Sequence, residues 1–281
     1  MLDTINIGFS QFGKDCDVDF RVVDTDEDVF RTMAEDMIEA IQVSTEGGKK
    51  AIHVWPGGPS GQYPYLVDMI NAQRIDLKNV IFLHMDEYIN DDKTRIPLSH
   101  PISFGGQIDK MFFDRIDPEL NVPDNQKIYL YPGAEKWIPD FIAENGGIYS
   151  FFGGFGINGH IALNEPPETD TELEEYLKLP IRIGKVAEAS RTAEIMKSMG
   201  GVSEGVPHLC ITLGMKEIMA AKILRMYAFR DWHRGVVRQA LHGPISPNFP
   251  CSLIRLHSDA RVVVSKLVTE KPIGEWSNYT A

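Results

Sequence analysis

Residues 51–88 read AIHVWPGGPSGQYPYLVDMINAQRIDLKNVIFLHMDEY. The stretch opens on Ala51 to Trp55, an apolar run that suits a strand buried on both faces. PGGPSG forces a turn, and YPYLVDMINAQ then sets apolar residues at helical spacing. VIFLH, Val80 to His84, is a second strand of the same kind. Strand, turn, helix and strand in succession make the βαβ unit of a parallel sheet.

The alternation continues in both directions. FRVV (20–23) reads as a short strand, and Asp26 to Gln42 as a helix. Val29, Met33, Met37, Ile38 and Ile41 mark its buried stripe, and DTDED supplies capping residues. FGGQIDKMFFDRI reads as a further helix, while KIYLY, IYSFF, LCITL, ILRMYAF and RVVVS extend the strand series. Nothing repeats at a fixed period, and no Gly/Ser-rich or Pro-rich linker divides the chain. The expectation is an α/β fold: one domain over residues 1–281, built on a single doubly wound, mostly parallel sheet with helices on both faces. Ligands of such sheets bind beyond the carboxyl ends of the strands, near the point where the strand order reverses. Three loops therefore become candidates: PGGPSG, MDEY and GINGHIALNEPPE.

The bulk properties narrow the class of ligand. A net charge of −12 over 281 residues argues against a nucleic-acid partner, whose phosphates need clustered Lys and Arg. A small anion is compatible with that charge, because oriented backbone N–H groups and one or two local cations suffice to hold it. No apolar run reaches the ~18 residues that a membrane helix needs, and the N-terminus lacks the basic head and apolar core of a secretory signal. Cys16, Cys210 and Cys251 form no C-x-x-C. A cytoplasmic protein with free thiols and no membrane partner is expected.

Gly154, Gly156 and Gly159 stand at G-x-G-x-x-G spacing after IYSFF. A dinucleotide loop needs a helix opening at the third glycine and an acidic residue closing the next strand. Here Gly159 leads through HIALNE to Pro166-Pro167, and Glu172, Glu174 and Glu175 fall in the polar run TDTELEEYLK, which reads as a solvated face or a lid. No nicotinamide or flavin cofactor is expected. The turn instead displays Asn158, His160 and Glu165, an imidazole with a carboxylate able to hold its tautomer. Asp86 and Glu87 follow directly on a buried strand, where partial desolvation suits a carboxylate to act as a base, although Asp86 could equally cap a turn. Gly57, Gly58 and Ser60 precede a helix and offer N–H groups and a hydroxyl to a phosphate, or simply make a tight turn.

Taken together and in order, Pro56-Gly-Gly-Pro-Ser60, Met85-Asp-Glu-Tyr88, His100-Pro-Ile-Ser-Phe104 and Gly156-Ile-Asn-Gly-His-Ile-Ala-Leu-Asn-Glu-Pro166 resemble the glucosamine-6-phosphate deaminase (isomerase) family. The resemblance runs from about residue 50 to near the C-terminus. It implies a doubly wound α/β fold and an aldose–ketose isomerisation with deamination of a hexosamine 6-phosphate, giving fructose 6-phosphate and ammonia. It implies no metal and no organic cofactor. By position, Asp86 would move a proton between C2 and C1, His160 and Glu165 would serve ring opening, and Gly57, Gly58, Ser60 and Glu87 would line the substrate site. Arg191, in ASRTAE, is similar to a phosphate-gripping arginine. Where the family carries an aspartate before Gly-His this chain has Asn158, and where it carries a phosphate-binding lysine the chain has His233, beside Arg230 and Arg234. The glycine loop is also one residue shorter. The family is often hexameric, so a homo-oligomer is one expectation. Three alternatives stand beside the leading one: a related substrate such as galactosamine 6-phosphate, a 6-phosphogluconolactonase-like lactonase, and a sugar-phosphate-binding protein without catalysis. Glu165 favours the deaminase over the lactonase, whose motif tends to read G-H-T-A-S-L-F-P.

Overall fold

Most of the short apolar segments are strands of one parallel sheet. The structure, a computed structural model, describes residues 4, 6–14 and 16–272. In chain order the strands are β1 (Asp19–Val23), β2 (Ala51–Trp55), β3 (Val80–His84), β4 (Asp86–Ile89), β5 (Lys127–Ile128), β6 (Ile148–Gly154), β7 (Arg182–Lys185), β8 (Leu209–Thr212), β9 (Ile223–Ala228) and β10 (Ala260–Ser265). The helices are α1 (Asp26–Ser44), α2 (Gln62–Gln73), α3 (Phe104–Met111), α4 (Ile138–Glu144), α5 (Leu173–Leu177), α6 (Glu188–Ser198), α7 (Met215–Met219) and α8 (His233–His242).

The main sheet has seven strands in the order β1-β10-β9-β6-β2-β3-β5. All of its pairings are parallel. Alternate residues of each strand feed opposite faces, as the two-residue period of a strand demands. Ile52, Val54, Ile81, Leu83, Met226, Val262 and Val264 join the core under α4, α7 and α8. Trp55, Val80, Phe82, Tyr227 and Val263 join the core under α1, α2 and α3. Helices thus cover both faces, and a strand wedged between them can be apolar along its whole length. Helix α1 shows the local logic well. Thr25 caps it in a reciprocal capping box with Asp28, and Val29, Met33, Met37, Ile38 and Ile41 form its buried stripe.

Two segments depart from the single sheet expected. LCITL belongs to a separate three-stranded antiparallel sheet, β4-β8-β7. Its partner β4 is the DEYI that directly follows β3, too short and too acidic to stand out as a strand. KIYLY contributes only the two residues of β5 at the sheet edge. The long segment FGGQIDKMFFDRI is helical only to Met111 and continues as a 3₁₀ turn over Phe113–Arg115.

The order reverses between β2 and β6. From β2 the chain moves outward to β3 and β5, and from β6 it moves the other way to β9 and β10. The loops after β2 and β6 therefore diverge and leave a crevice. Among the described residues no helix is long and apolar enough to cross a membrane.

Candidate active site

At that crevice lies a half-open cleft that encloses about 160 Å³. Asp86 forms part of its floor. After β3 a single residue, Met85, intervenes before the chain leaves the parallel sheet and pairs with β8, Asp86 opposite Thr212. Asp86 sits at this handover, 5% exposed. No hydrogen bond reaches its carboxylate from the described residues. Burial first, and then the charges of Glu87 and Glu194, push its pKa up to about 8.

Glu87 points elsewhere. Its carboxylate accepts hydrogen bonds from Ser103 Oγ at 2.9 Å, from the backbone N–H groups of Tyr88 and Gly105 at 2.9 Å, and from that of Phe104 at 3.0 Å. Burial raises its pKa against these bonds. Successive residues of a strand face opposite ways, so the adjacent carboxylates have separate tasks. Glu87 ties β4 to the N-terminus of α3, and Phe104, the first residue of α3, lines the cleft.

The loop after β2 closes a second side. Gly58 and Pro59 line the cleft, while Gly57 and Ser60 do not. A Cβ on Gly57 would fall 2.4 Å from Phe104, so glycine is required for the loop to pack on α3. Gln62 Nε2 donates to Pro59 O at 2.8 Å and the Tyr63 hydroxyl to Pro56 O at 2.6 Å, fixing the loop to the first turn of α2.

The glycine-rich turn after β6 supplies the third side. Gly154 leaves room for Pro59 at 3.0 Å, and a Cβ on Gly156 would fall 2.2 Å from the imidazole of His160. Gly159, at φ +82°, sits in the left-handed region and faces Phe249. The spacing that imitates a dinucleotide loop therefore serves to lay an imidazole against backbone. Asn158 Oδ1 stands 2.8 Å from His160 Nδ1, and Asn158 Nδ2 donates to Glu165 Oε2 at 2.7 Å. The amide must turn its NH₂ to the carboxylate, so its carbonyl faces the ring and accepts from Nδ1–H. In the neutral imidazole this leaves Nε2 unprotonated. Ser190 Oγ is 3.0 Å and Glu165 Oε2 3.4 Å from the same Nδ1. Burial alone would raise Glu165. Hydrogen bonding and charge from His160, joined by Asn158 and Ser190, outweigh it and hold the carboxyl at about 2. Tyr176 of α5 donates to Glu165 O at 2.8 Å, so the charged run around it includes a buried residue that braces the site.

Helix α6 forms the remaining wall through Ser190, Ala193, Glu194 and Lys197, one face at helical spacing. Arg191 lies about 100° around that helix from Ser190 and faces away from the cleft. Its guanidinium donates to Glu188 at 2.9 Å and to Val206 O at 2.9 Å. The cation that reaches the glycine loop is Lys197, whose Nζ lies 3.5 Å from where a Gly58 Cβ would stand. Arg230 also lines the cleft. His233 lines it too, but as a neutral group. Its Nδ1 accepts from the N–H groups of Phe229 and Arg230 at 2.9 and 2.8 Å, and Nε2 faces Phe155 O at 3.2 Å. Burial, then the charge of Arg230, lowers its pKa to about 3. Arg234 turns outward to Asp231 and Glu270.

Of the residues singled out in the sequence, Asp86, His160, Gly58 and His233 thus line one cleft, with Asn158 and Glu165 directly behind the imidazole. Gly57, Ser60, Glu87, Arg191 and Arg234 lie outside its wall. Glu194 and Lys197 went unread in the sequence, although ASRTAEIMKS carries both on one helical face with Ser190. Among the described residues no group of three or more His, Cys, Asp or Glu is arranged to hold a metal ion.

No protein-family model matches the chain. It is 28% identical over 211 residues to the glucosamine-6-phosphate deaminase of Thermoanaerobacter sp. (strain X514), covering 74% of this chain and 78% of that one. In sequence the chain is thus similar to glucosamine-6-phosphate deaminases. In fold it is similar to a monomeric glucosamine-6-phosphate deaminase of the NagB superfamily, with a TM-score of 0.77 at 21% identity over 89% of this chain and 98% of that one. The 6-phosphogluconolactonase of Leishmania guyanensis shares the fold more loosely, with a TM-score of 0.64 at 16% identity over 92% and 99% of the two chains. The deaminase and lactonase relatives alike are enzymes of phosphorylated sugars.

Proposed function

We propose that the protein is a hexosamine 6-phosphate deaminase-isomerase, with glucosamine 6-phosphate as the substrate to try first. The observation that carries this reading is Asp86, a buried carboxylate with no hydrogen-bond partner among the described residues, raised to about 8 and facing the same cleft as His160. A base poised near the working pH combines adequate strength with a usable ionised fraction. His160 Nε2, unprotonated because Nδ1–H is held by Asn158, shuttles the proton between the ring oxygen and the C1 hydroxyl as the sugar opens. Ionised Asp86 then takes the C2 proton and returns it to C1, neighbouring carbons on one face of the intermediate. The C2 imine that results adds water and releases ammonia, leaving the 2-ketose phosphate. Glu165 stays ionised behind the imidazole and stabilises its charged form.

The phosphate is assigned to the end of the cleft where Lys197 meets Gly58, with Arg230 as a further cation of the lining. His233 is neutral there and contributes shape rather than charge. A lactonase hydrolyses an ester at C1 without moving a C2 proton, and would give the raised, unpartnered Asp86 no role.

The test is a coupled assay of purified protein with glucosamine 6-phosphate, measuring ammonia and fructose 6-phosphate. The two products are expected in equal amounts, with kcat/KM rising as pH passes about 8 and Asp86 ionises. Absence of both products on the alkaline side of that value would refute the reading.

A further inference from the structure

On the reading just given, the carbon that loses its proton to Asp86 also carries an amino group, and the cleft holds a second carboxylate that the proton transfers leave unused. Glu194 is 8% exposed and lines the cleft from α6. Its charge bears on two groups of the floor. It contributes, after burial and Glu87, to the raised pKa of Asp86. For Tyr88 it ranks directly after burial, ahead of Asp86, in pushing the phenol well above its ordinary range. Tyr88 is 2% exposed and lines the cleft, and no hydrogen bond reaches its hydroxyl from the described residues. Two buried oxygen functions, one on Asp86 and one on Tyr88, are therefore unpartnered beside a third on Glu194. The near cation, Lys197, stands 3.6 Å from Glu194 Oε2 and is 40% exposed, at the glycine-loop end of the cleft. Ser198 donates to the other carboxylate oxygen.

We propose that Glu194 reads the C2 substituent, holding it as an ammonium among Glu194, Asp86 and the Tyr88 hydroxyl, and so selects amino sugar phosphates over neutral ones. An ammonium has three N–H donors for three acceptors, and its charge offsets the repulsion between two carboxylates in a poorly solvated wall. A hydroxyl at C2 has one donor and no charge. It leaves acceptors unmet and the repulsion intact, which is rejection by unpaired buried groups.

The experiment uses two ligands that cannot react, the open-chain reduced alcohols of glucosamine 6-phosphate and of glucose 6-phosphate. They differ only in an ammonium or a hydroxyl at C2. Titration calorimetry at about pH 8.5, where Asp86 is largely ionised, should show the wild type binding the amine about tenfold tighter or more. In Glu194→Gln, which keeps an acceptor for Ser198, the amine should weaken until the two ligands match, while the neutral ligand keeps its wild-type affinity. Equal affinities in the wild type would overturn the inference without recourse to any variant. Parallel weakening of both ligands in the variant would also overturn it, because Glu194 would then act only by positioning Lys197 for the phosphate. Binding of neither ligand to the wild type would overturn both this inference and the reading of the cleft beneath it.

Discussion

Asp86 is a buried carboxylate in the cleft that His160 lines, and Glu165 a partly buried one behind that imidazole, yet their surroundings drive them apart. Asp86 has no donor among the described residues and two acidic neighbours, and sits at about 8. Glu165 has His160, Asn158, Ser190 and the N–H of Ala187 around it, and sits at about 2. Burial pushes both upward. The difference is made by hydrogen-bond donors and the sign of the neighbouring charge, since each donor favours the ionised form and each like charge opposes it. Two carboxylates forced apart in this way are suited to different work, one exchanging a proton and one remaining charged.

The largest effect should come from ending the isolation of Asp86. Asp86→Asn keeps the shape of the side chain and removes its basicity, so kcat on an accepted substrate should fall by about 10³ or more, with KM little changed. The same variant should be more stable than the wild type in alkali. A folded-state pKa raised above the ordinary value means that the native protein binds more protons than the unfolded chain between about 4 and about 8. Stability therefore falls as pH rises through that window. Denaturant melts should show Asp86→Asn ahead by roughly 2–5 kcal/mol above pH 8 and level with the wild type near pH 4. A variant no more stable than the wild type at pH 9 would mean that Asp86 carries no such burden.

Next in size is the phosphate end, where neighbouring cations on one helix make the contrast. Lys197 faces the glycine loop, and Arg191 faces Glu188 and the carbonyl of Val206. Lys197→Met should raise KM by about 10–100-fold with kcat largely kept, the signature of lost uniform binding to a charged group. Arg191→Lys should change KM by less than about threefold and act instead on the anchoring of α6, lowering thermal stability. The reverse ranking would return the phosphate to Arg191 and remove Lys197 from the site.

That contrast also marks how far the sequence could be read. The strands AIHVW and VIFLH declared themselves because a strand buried on both faces must be apolar throughout, and the loops after them followed from the parallel sheet. Asp86 and His160 could be placed in one cleft because a doubly wound sheet brings the ends of its strands together. DEYI concealed a strand, because it opens on two adjacent acidic residues, is only four residues long, and pairs with LCITL more than a hundred residues away. Arg191 and Lys197 differ only in the direction of a side chain on a helix whose register against the cleft is set by tertiary packing, not by local pattern. Glu87 and His233 carry the right functional groups, but backbone N–H donors occupy them, and such partners leave no mark in a side-chain motif.

The smallest effect expected is the one that makes the second carboxylate most like the first. Asn158→Asp replaces the amide NH₂ that donates to Glu165 Oε2 at 2.7 Å with an oxygen, setting two carboxylates in contact. One of the pair then has to keep a proton that the unfolded chain would release, or both must share the charge of a protonated His160. The variant should lose about 1–2 kcal/mol of stability at pH 8 relative to the wild type. The sign follows from the raised pKa within the new pair: the folded variant binds the extra proton in mild acid, so its deficit should shrink as pH falls towards 5. Denaturant melts at the two pH values check this directly. A deficit that grows in acid would mean that the new carboxylate finds a donor of its own, and that the amide is not what keeps Glu165 so far below Asp86.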